Sequence, residues 1–222
     1  MMIAYKLTNQ DLITHGNFQW ILGEWVETSG EGPLCSPGWL HFYTHPLLAV
    51  LLNPLHARIQ DPRLWEAEVG GETISDHGLK VGYTRARLVR ELPLPDVTLI
   101  QRVEFGIRCA LTVSQSDKFT RWAEAWLSGK DRSYVSARTI LRSFGRYNEN
   151  LLLDRYSICN SSHPWNAAYA ARAASYAADT VINYDAIPEI EALIVEGVEN
   201  VIAASSAPIN LIHLAKLSCG VS

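Results

Sequence analysis

No two of the four cysteines form a C-x-x-C pair: Cys35, Cys109, Cys159 and Cys219 are scattered over 222 residues. Such spacing carries neither a disulfide framework nor a zinc ribbon, and it points to a reducing compartment. Long apolar runs are also missing. The longest uncharged stretches, such as "VIAASSAPINLIHLA" at 201–215, contain a proline and fall short of the ~20 apolar residues a membrane-spanning helix needs. The start, "MMIAYKLTNQDL", has neither the basic cluster nor the apolar core of a signal peptide, so a cytoplasmic protein with no membrane partner is expected. Excess positive charge is lacking as well. Nineteen Lys and Arg against 23 Asp and Glu leave −4, which supplies no general attraction to nucleic acid. G-x-S-x-G and G-x-G-x-x-G do not occur, and "SGKDRS" (128–133) has a Gly-Lys pair without the upstream glycine or following Ser/Thr of a phosphate loop. These absences argue against a nucleoside triphosphatase and a dinucleotide dehydrogenase.

What is present is a globular composition, 48% hydrophobic and 19% charged, that supports one large domain or two small ones. The pattern changes near residue 115. Before it, period-two alternation in "IAYKL" (3–7) and "RLWEAEV" (63–69) predicts strands, with Ile3, Tyr5 and Leu7 as the apolar side of the first. Glycines in "TSGEG" (28–32) and "GG" (70–71) punctuate the runs. Two helices interrupt this front half. One spans 46–52, with Pro46 in its first turn, Thr44 or His45 as cap and Pro54 limiting its end; the other spans 96–111 with Asp96 as cap. After residue 115 the spacing predicts helices over 117–129, 131–146, 165–179, 188–205 and 208–218. The expectation is an α+β chain, with a β-rich ligand- or partner-binding domain at 1–115 and a helical domain at 116–222.

Four groups of residues invite a chemical reading. Cys35, His41 and His45 in "LCSPGWLHFYTHP" (34–46) have zinc-ligand chemistry, but no fourth ligand stands nearby, and a short strand with hydrogen-bonded histidines is the preferred reading. In that strand His41 and Tyr43 share a face and look toward a cleft. Glu66 and Glu68 resemble a carboxylate pair, although any strand with one wet face gives this spacing. Arg85 and Arg87 lie on one side of a probable strand, where guanidinium forks suit phosphate or carboxylate, with Arg90 on the other side. Arg138, Arg142 and Arg146 recur along one helix. Residues 118–172 carry net +5 and residues 173–222 net −5, so this helix is expected to dock on the acidic helix of Glu189, Glu196 and Glu199, within the chain or across a dimer.

The front half resembles a bacteriophage and prophage domain of unknown function, through "IAYKLTNQDL", "GNFQWILGEWVE" (16–27), "LCSPGWLH" (34–41), "HPLLAVLL" (45–52) and "RLWEAEVGGE" (63–72). The Ala/Tyr/Arg-rich "AAYAARAASYAA" (167–178) resembles the tail that such proteins carry after that domain. More distantly, the order of elements is similar to that of the ADP-ribosyltransferases, which implies a split sheet, NAD as cofactor and a glutamate on the last strand. The matching position falls near Ala86 or Arg87, and the cofactor-holding early residue near Tyr5 or Lys6. A cation in place of that glutamate cannot stabilise an oxocarbenium-like transition state.

These readings combine into a phage-type accessory protein, without a cofactor and cytoplasmic in a bacterial host. It binds a small phosphorylated or nucleotide ligand, or a host protein, through Arg85, Arg87, His41 and Tyr43, and by resemblance it inhibits a host defence. One alternative is an NAD-using transferase with Glu66, Glu68 or Glu91 as its acid. Another is an assembly protein that oligomerises through its helices.

Overall fold

The computed structural model describes residues 2–143, 187–205 and 207–221. The Ala/Tyr stretch at 165–179, Arg146 and the side chain of Glu189 lie outside the described residues. The chain forms two compact units, Met1–Val97 with Asn210–Lys216, and Thr98–Ile209 with Leu217–Ser222. The α+β class is as expected: among the described residues every strand lies within 2–92 and all but one of the α-helices within 99–219.

The first unit holds β1 (Met2–Thr8), β2 (Ile13–Thr14), β3 (Phe18–Gln19), β4 (Val26–Glu27), β5 (Leu40–Phe42), α1 (Pro46–His56), β6 (Arg63–Ser75) and β7 (Val81–Leu92). Its strands make one five-stranded antiparallel sheet and a separate β2–β3 ribbon. In the sheet β1 pairs β6, β6 pairs β7, and β7 carries both β5 and β4 on its far edge. Just beyond β5, Tyr43 returns to β1, where the Tyr5 and Tyr43 amides each donate to the other's carbonyl at 2.8 Å. The sheet therefore closes on itself through a single bridge, and closure removes edges that would otherwise pair with other chains.

The buried cluster inside this sheet contains Ala4, Trp20, Leu40, Phe42, Trp65, Ala67, Val69, Val81, Tyr83, Ala86 and Leu88. Closure also corrects the reading of β1. On the side expected to be apolar Leu7 is buried but Ile3 is 47% exposed, whereas Ala4, Lys6 and Thr8 on the other side are buried. Period-two alternation marks a two-sided strand but does not tell which side a curved sheet encloses.

The glycine pair at 70–71 is not a break between strands. β6 continues to Ser75 through a bulge, in which Gly71 has φ +77° and the Glu72 amide donates to the Thr84 hydroxyl at 2.9 Å. A Cβ at Gly71 would collide with that hydroxyl, so only glycine fits. In the β6–β7 turn, His77 and Gly78 take positive φ, and the Leu79 amide donates to the Asp76 carbonyl at 2.8 Å. α1 begins where expected, with Nδ1 of His45 accepting from the Leu47 amide, and it runs two residues past Pro54. Leu47 to Leu52 are all buried, and each large side chain so removed from water contributes about 1.5–3 kcal/mol.

The second unit holds α2 (Leu99–Leu111), α3 (Asp117–Leu127), α4 (Tyr134–Ser143) and α5 (Ile187–Ala204); α6 (Leu211–Cys219) gives its last residues to this unit and its first to the other. α2 belongs here rather than with the strands, so the boundary expected after residue 115 falls inside the second unit. The physical reason is packing of α2 on α5: Gly106 lets Ile194 approach to where a Cβ would stand 3.2 Å away, and Arg102 pairs with Glu191 at 2.9 Å. The cap of α2 is Thr98, in a capping box with Gln101, and not Asp96. α3 buries Phe119, Trp122 and Trp126 as their spacing predicts. In α4, Arg138 donates to the Tyr134 hydroxyl and lies over its ring.

Candidate functional site

Alternation along β7 places Arg85 and Arg87 on one side, while Ala86 and Leu88 join the buried cluster; a register shift between Glu66 and Ala67 then brings Arg90, expected on the other side, opposite Glu66 and onto the side of Arg87, and sets Glu91 opposite Trp65. The register then decides their neighbours. Glu68 lies opposite Arg87, and their side chains meet at 2.6 Å. Arg85 sits between Glu27 of β4, with which it pairs at 3.2 Å, and Gly70 of β6. A Cβ built at Gly70 meets nothing within 4 Å, so the space beside Arg85 on that side is open.

Trp25 completes the arrangement. A turn brings it there: the Glu24 amide donates to the Ile21 carbonyl, Gly23 supplies a positive φ, and the Gly23 amide donates to the Leu88 carbonyl at 2.9 Å. The guanidinium carbons of Arg85 and Arg87 then lie 4.2 and 4.8 Å from the Trp25 ring centroid. Each such contact contributes about 0.5–1 kcal/mol at an exposed site and holds the planar fork in a defined orientation. At the tip of the same turn Ile21 and Leu22 are about half exposed.

The two arginines differ in availability. The Arg85 and Glu27 side chains are 49% and 69% exposed, against 34% and 23% for Arg87 and Glu68. An exposed ion pair contributes about 0–1 kcal/mol, so Glu27 is weakly held. Arg87 is fixed by two contacts to one Glu68 oxygen, from Nε at 2.8 Å and from Nη2 at 2.6 Å.

His41 and Tyr43 do not share this face's chemistry. The Nε2–H of His41 donates to the Leu34 carbonyl, and desolvation lowers the pKa of its ring. Tyr43 is buried, its backbone closes the sheet, and its ring stacks on His56 at 6.1 Å. The remaining members of the zinc-like triplet are engaged separately, His45 as the cap of α1 and Cys35 as acceptor from Nζ of Lys80 at 3.2 Å. Among the described residues no group of three or more His, Cys, Asp or Glu is placed to hold a metal ion.

The acids are taken up in the same way. Glu66 accepts from Arg90 at 2.9 and 2.8 Å, and Glu91 accepts from Arg63 at 2.9 and 2.6 Å. Each arginine holds its partner's carboxyl below the usual range, chiefly through the hydrogen bond. Together with Glu68 and Arg87 they form a ladder of cross-strand ion pairs on β6 and β7.

Lys6 enters the sequence reading only as a position near the expected cofactor-holding residue, and its burial goes unforeseen there. Its Nζ lies 4.8 Å from the Phe42 ring centroid and 5.2 Å from that of Trp20, and it donates to the His41 carbonyl at 2.7 Å. Burial pushes its pKa down to about 7. The signal that finds it is parity: Lys6 shares its side of β1 with Ala4 and Thr8, two small residues that leave room for rings. Trp25 carries no comparable signal, because its place depends on the turn and not on periodicity.

No helix among the described residues is long and apolar enough to cross a membrane. No curated protein and no solved structure matches the chain. Residues 2–100, which contain every strand among the described residues, match the family model described as a domain of unknown function, DUF7666.

Proposed function

We propose that the sheet unit is a binding module whose ligand is a small phosphorylated compound of the nucleotide class, held by Arg85 and Arg87 against Trp25. The observation that carries this reading is the open space at Gly70 beside a half-exposed, ring-supported arginine. A guanidinium fork presents two parallel donors to phosphate oxygens, and the Trp25 ring keeps that fork from collapsing onto the sheet. Glu27 occupies the position in the ligand's absence and is readily exchanged.

Binding is favoured over catalysis because an acid that is to move a proton or steady a cation must be available. Glu66, Glu68 and Glu91 are each bonded to an arginine. His41 and Tyr43 act in this reading as supports of the closed sheet and not as ligand contacts. The extension to a phage protein that sequesters a host signal comes from the resemblance of the front half.

Mass spectrometry of small molecules released on denaturing the purified protein tests the reading. The expected result is a stoichiometric phosphorylated compound that is lost from the Arg85→Ala, Arg87→Ala double variant and reduced in Trp25→Ala. Empty wild-type protein that also shows no calorimetric signal with a panel of nucleotides rules the reading out. A pull-down for a host protein is then the next experiment.

A further inference from the structure

A lysine inside a closed sheet is an expensive residue. Taking an ammonium out of water costs several kcal/mol unless a carboxylate and further acceptors replace the water, and removing the charge is often neutral or stabilising. Lys6 has one acceptor, the His41 carbonyl, and two aromatic rings. Among the described residues no carboxylate pairs with its Nζ. Burial is the one cause of its shift, and His41 on β5 is the titratable group with which it interacts. Methionine would fill the same volume without the penalty. The position holds an amine in a state in which much of it carries a free lone pair at neutral pH.

Its surroundings also give it a way out. β1 meets the chain after β5 through two backbone hydrogen bonds between Tyr5 and Tyr43, and Lys6 supplies the third bond of that seam. β1 and β6, by contrast, pair over seven residues. Local opening follows the boundary with fewest hydrogen bonds, so the seam parts first and uncovers Lys6.

We propose that Lys6 is a reactive amine, and that the closed sheet takes a small aldehyde or ketone at the seam between β1 and Tyr43 as a covalent imine. The lone pair of Nζ attacks the carbonyl carbon, and the C=O π pair moves to oxygen, giving a carbinolamine. Both nitrogen-bound hydrogens of the amine then leave with that oxygen as water, so the carbonyl compound and the amine become an imine and one water with no change of oxidation state. Desolvation in an apolar site is the general means by which a lysine becomes a nucleophile. The rings of Trp20 and Phe42 favour an apolar carbonyl compound over an anionic one. This site is independent of the arginine face.

The test is reductive trapping of the native full-length chain with butanal and cyanoborohydride, followed by peptide mapping. At pH 7 the expected result is labelling of Lys6 about tenfold or more faster than of Lys80, Lys118, Lys130 and Lys216. The Lys6 rate should level off just above pH 7. Lys6→Arg should remove the fast adduct and leave the slow ones. The proposal is overturned if Lys6 stays unlabelled, if it reacts no faster than the other lysines, or if its labelling appears only in urea that unfolds the chain.

Discussion

At the scale of single residues, two side chains carry the proposed chemistry, and they do so for opposite reasons. Arg85 is available because its partner is weakly held; Lys6 is poised because it has so few partners. The cost of Lys6 is measurable without any ligand. Its pKa is about 7 in the folded chain and near 10.5 unfolded, so the unfolded state binds more protons between those values and stability rises with pH across that window. Below pH 7 the full penalty is present and constant. Lys6→Met should therefore be more stable than wild type at pH 6, by about 1–3 kcal/mol, with the difference shrinking as pH approaches 10. Urea midpoints at four or five pH values check this, and a difference independent of pH would show that Lys6 titrates normally. Glu27→Gln should leave stability within about 0.5 kcal/mol of wild type, since the exposed pair contributes little.

At the scale of elements, the bulge in β6 and the cap of α2 show what the sequence makes legible and what it hides. Alternation locates β1 and the first half of β6, and helical spacing locates α1 to α5 to within a few residues, because both periods are imposed by backbone geometry. The glycine pair at 70–71 misleads, since a glycine ends a strand or bulges it by the same freedom of φ, and only the partner strand decides which. Gly71→Ala should cost about 1–3 kcal/mol through its positive φ and the Thr84 hydroxyl, whereas Gly70→Ala, with open space at its Cβ, should cost well under half of that. The cap is ambiguous in the same way: Asp96 and Thr98 are both cap residues, and Thr98 prevails because Gln101 reciprocates. Thr98→Ala should lower stability by about 0.5–2 kcal/mol while Asp96→Ala has little effect, as read from denaturation midpoints. The arginine face is half legible. Strand parity places Arg85 and Arg87 together, but Trp25 and Glu27 reach them through register and a turn, which no local pattern encodes.

At the scale of the whole molecule, the first unit is discontinuous: residues 210–216 belong with the strands although more than a hundred residues separate them. Leu211, buried beside the turn at Gly78, marks that return. Leu211→Ala should cost about 2–4 kcal/mol, and hydrogen exchange should report the loss first at the amides of Asp76 and Leu79 in the β6–β7 turn. Closure of the sheet also sets an order of events in time. β6 and β7 are neighbours in sequence and pair across a short turn, whereas the Trp65 indole reaches the Thr8 hydroxyl across 57 residues. Distant pairings form only after the chain entropy of a long loop has been overcome, so the β6–β7 hairpin belongs early in folding and β1 late. Weakening the seam at Tyr5 and Tyr43 should accordingly quicken unfolding and leave the refolding rate nearly unchanged.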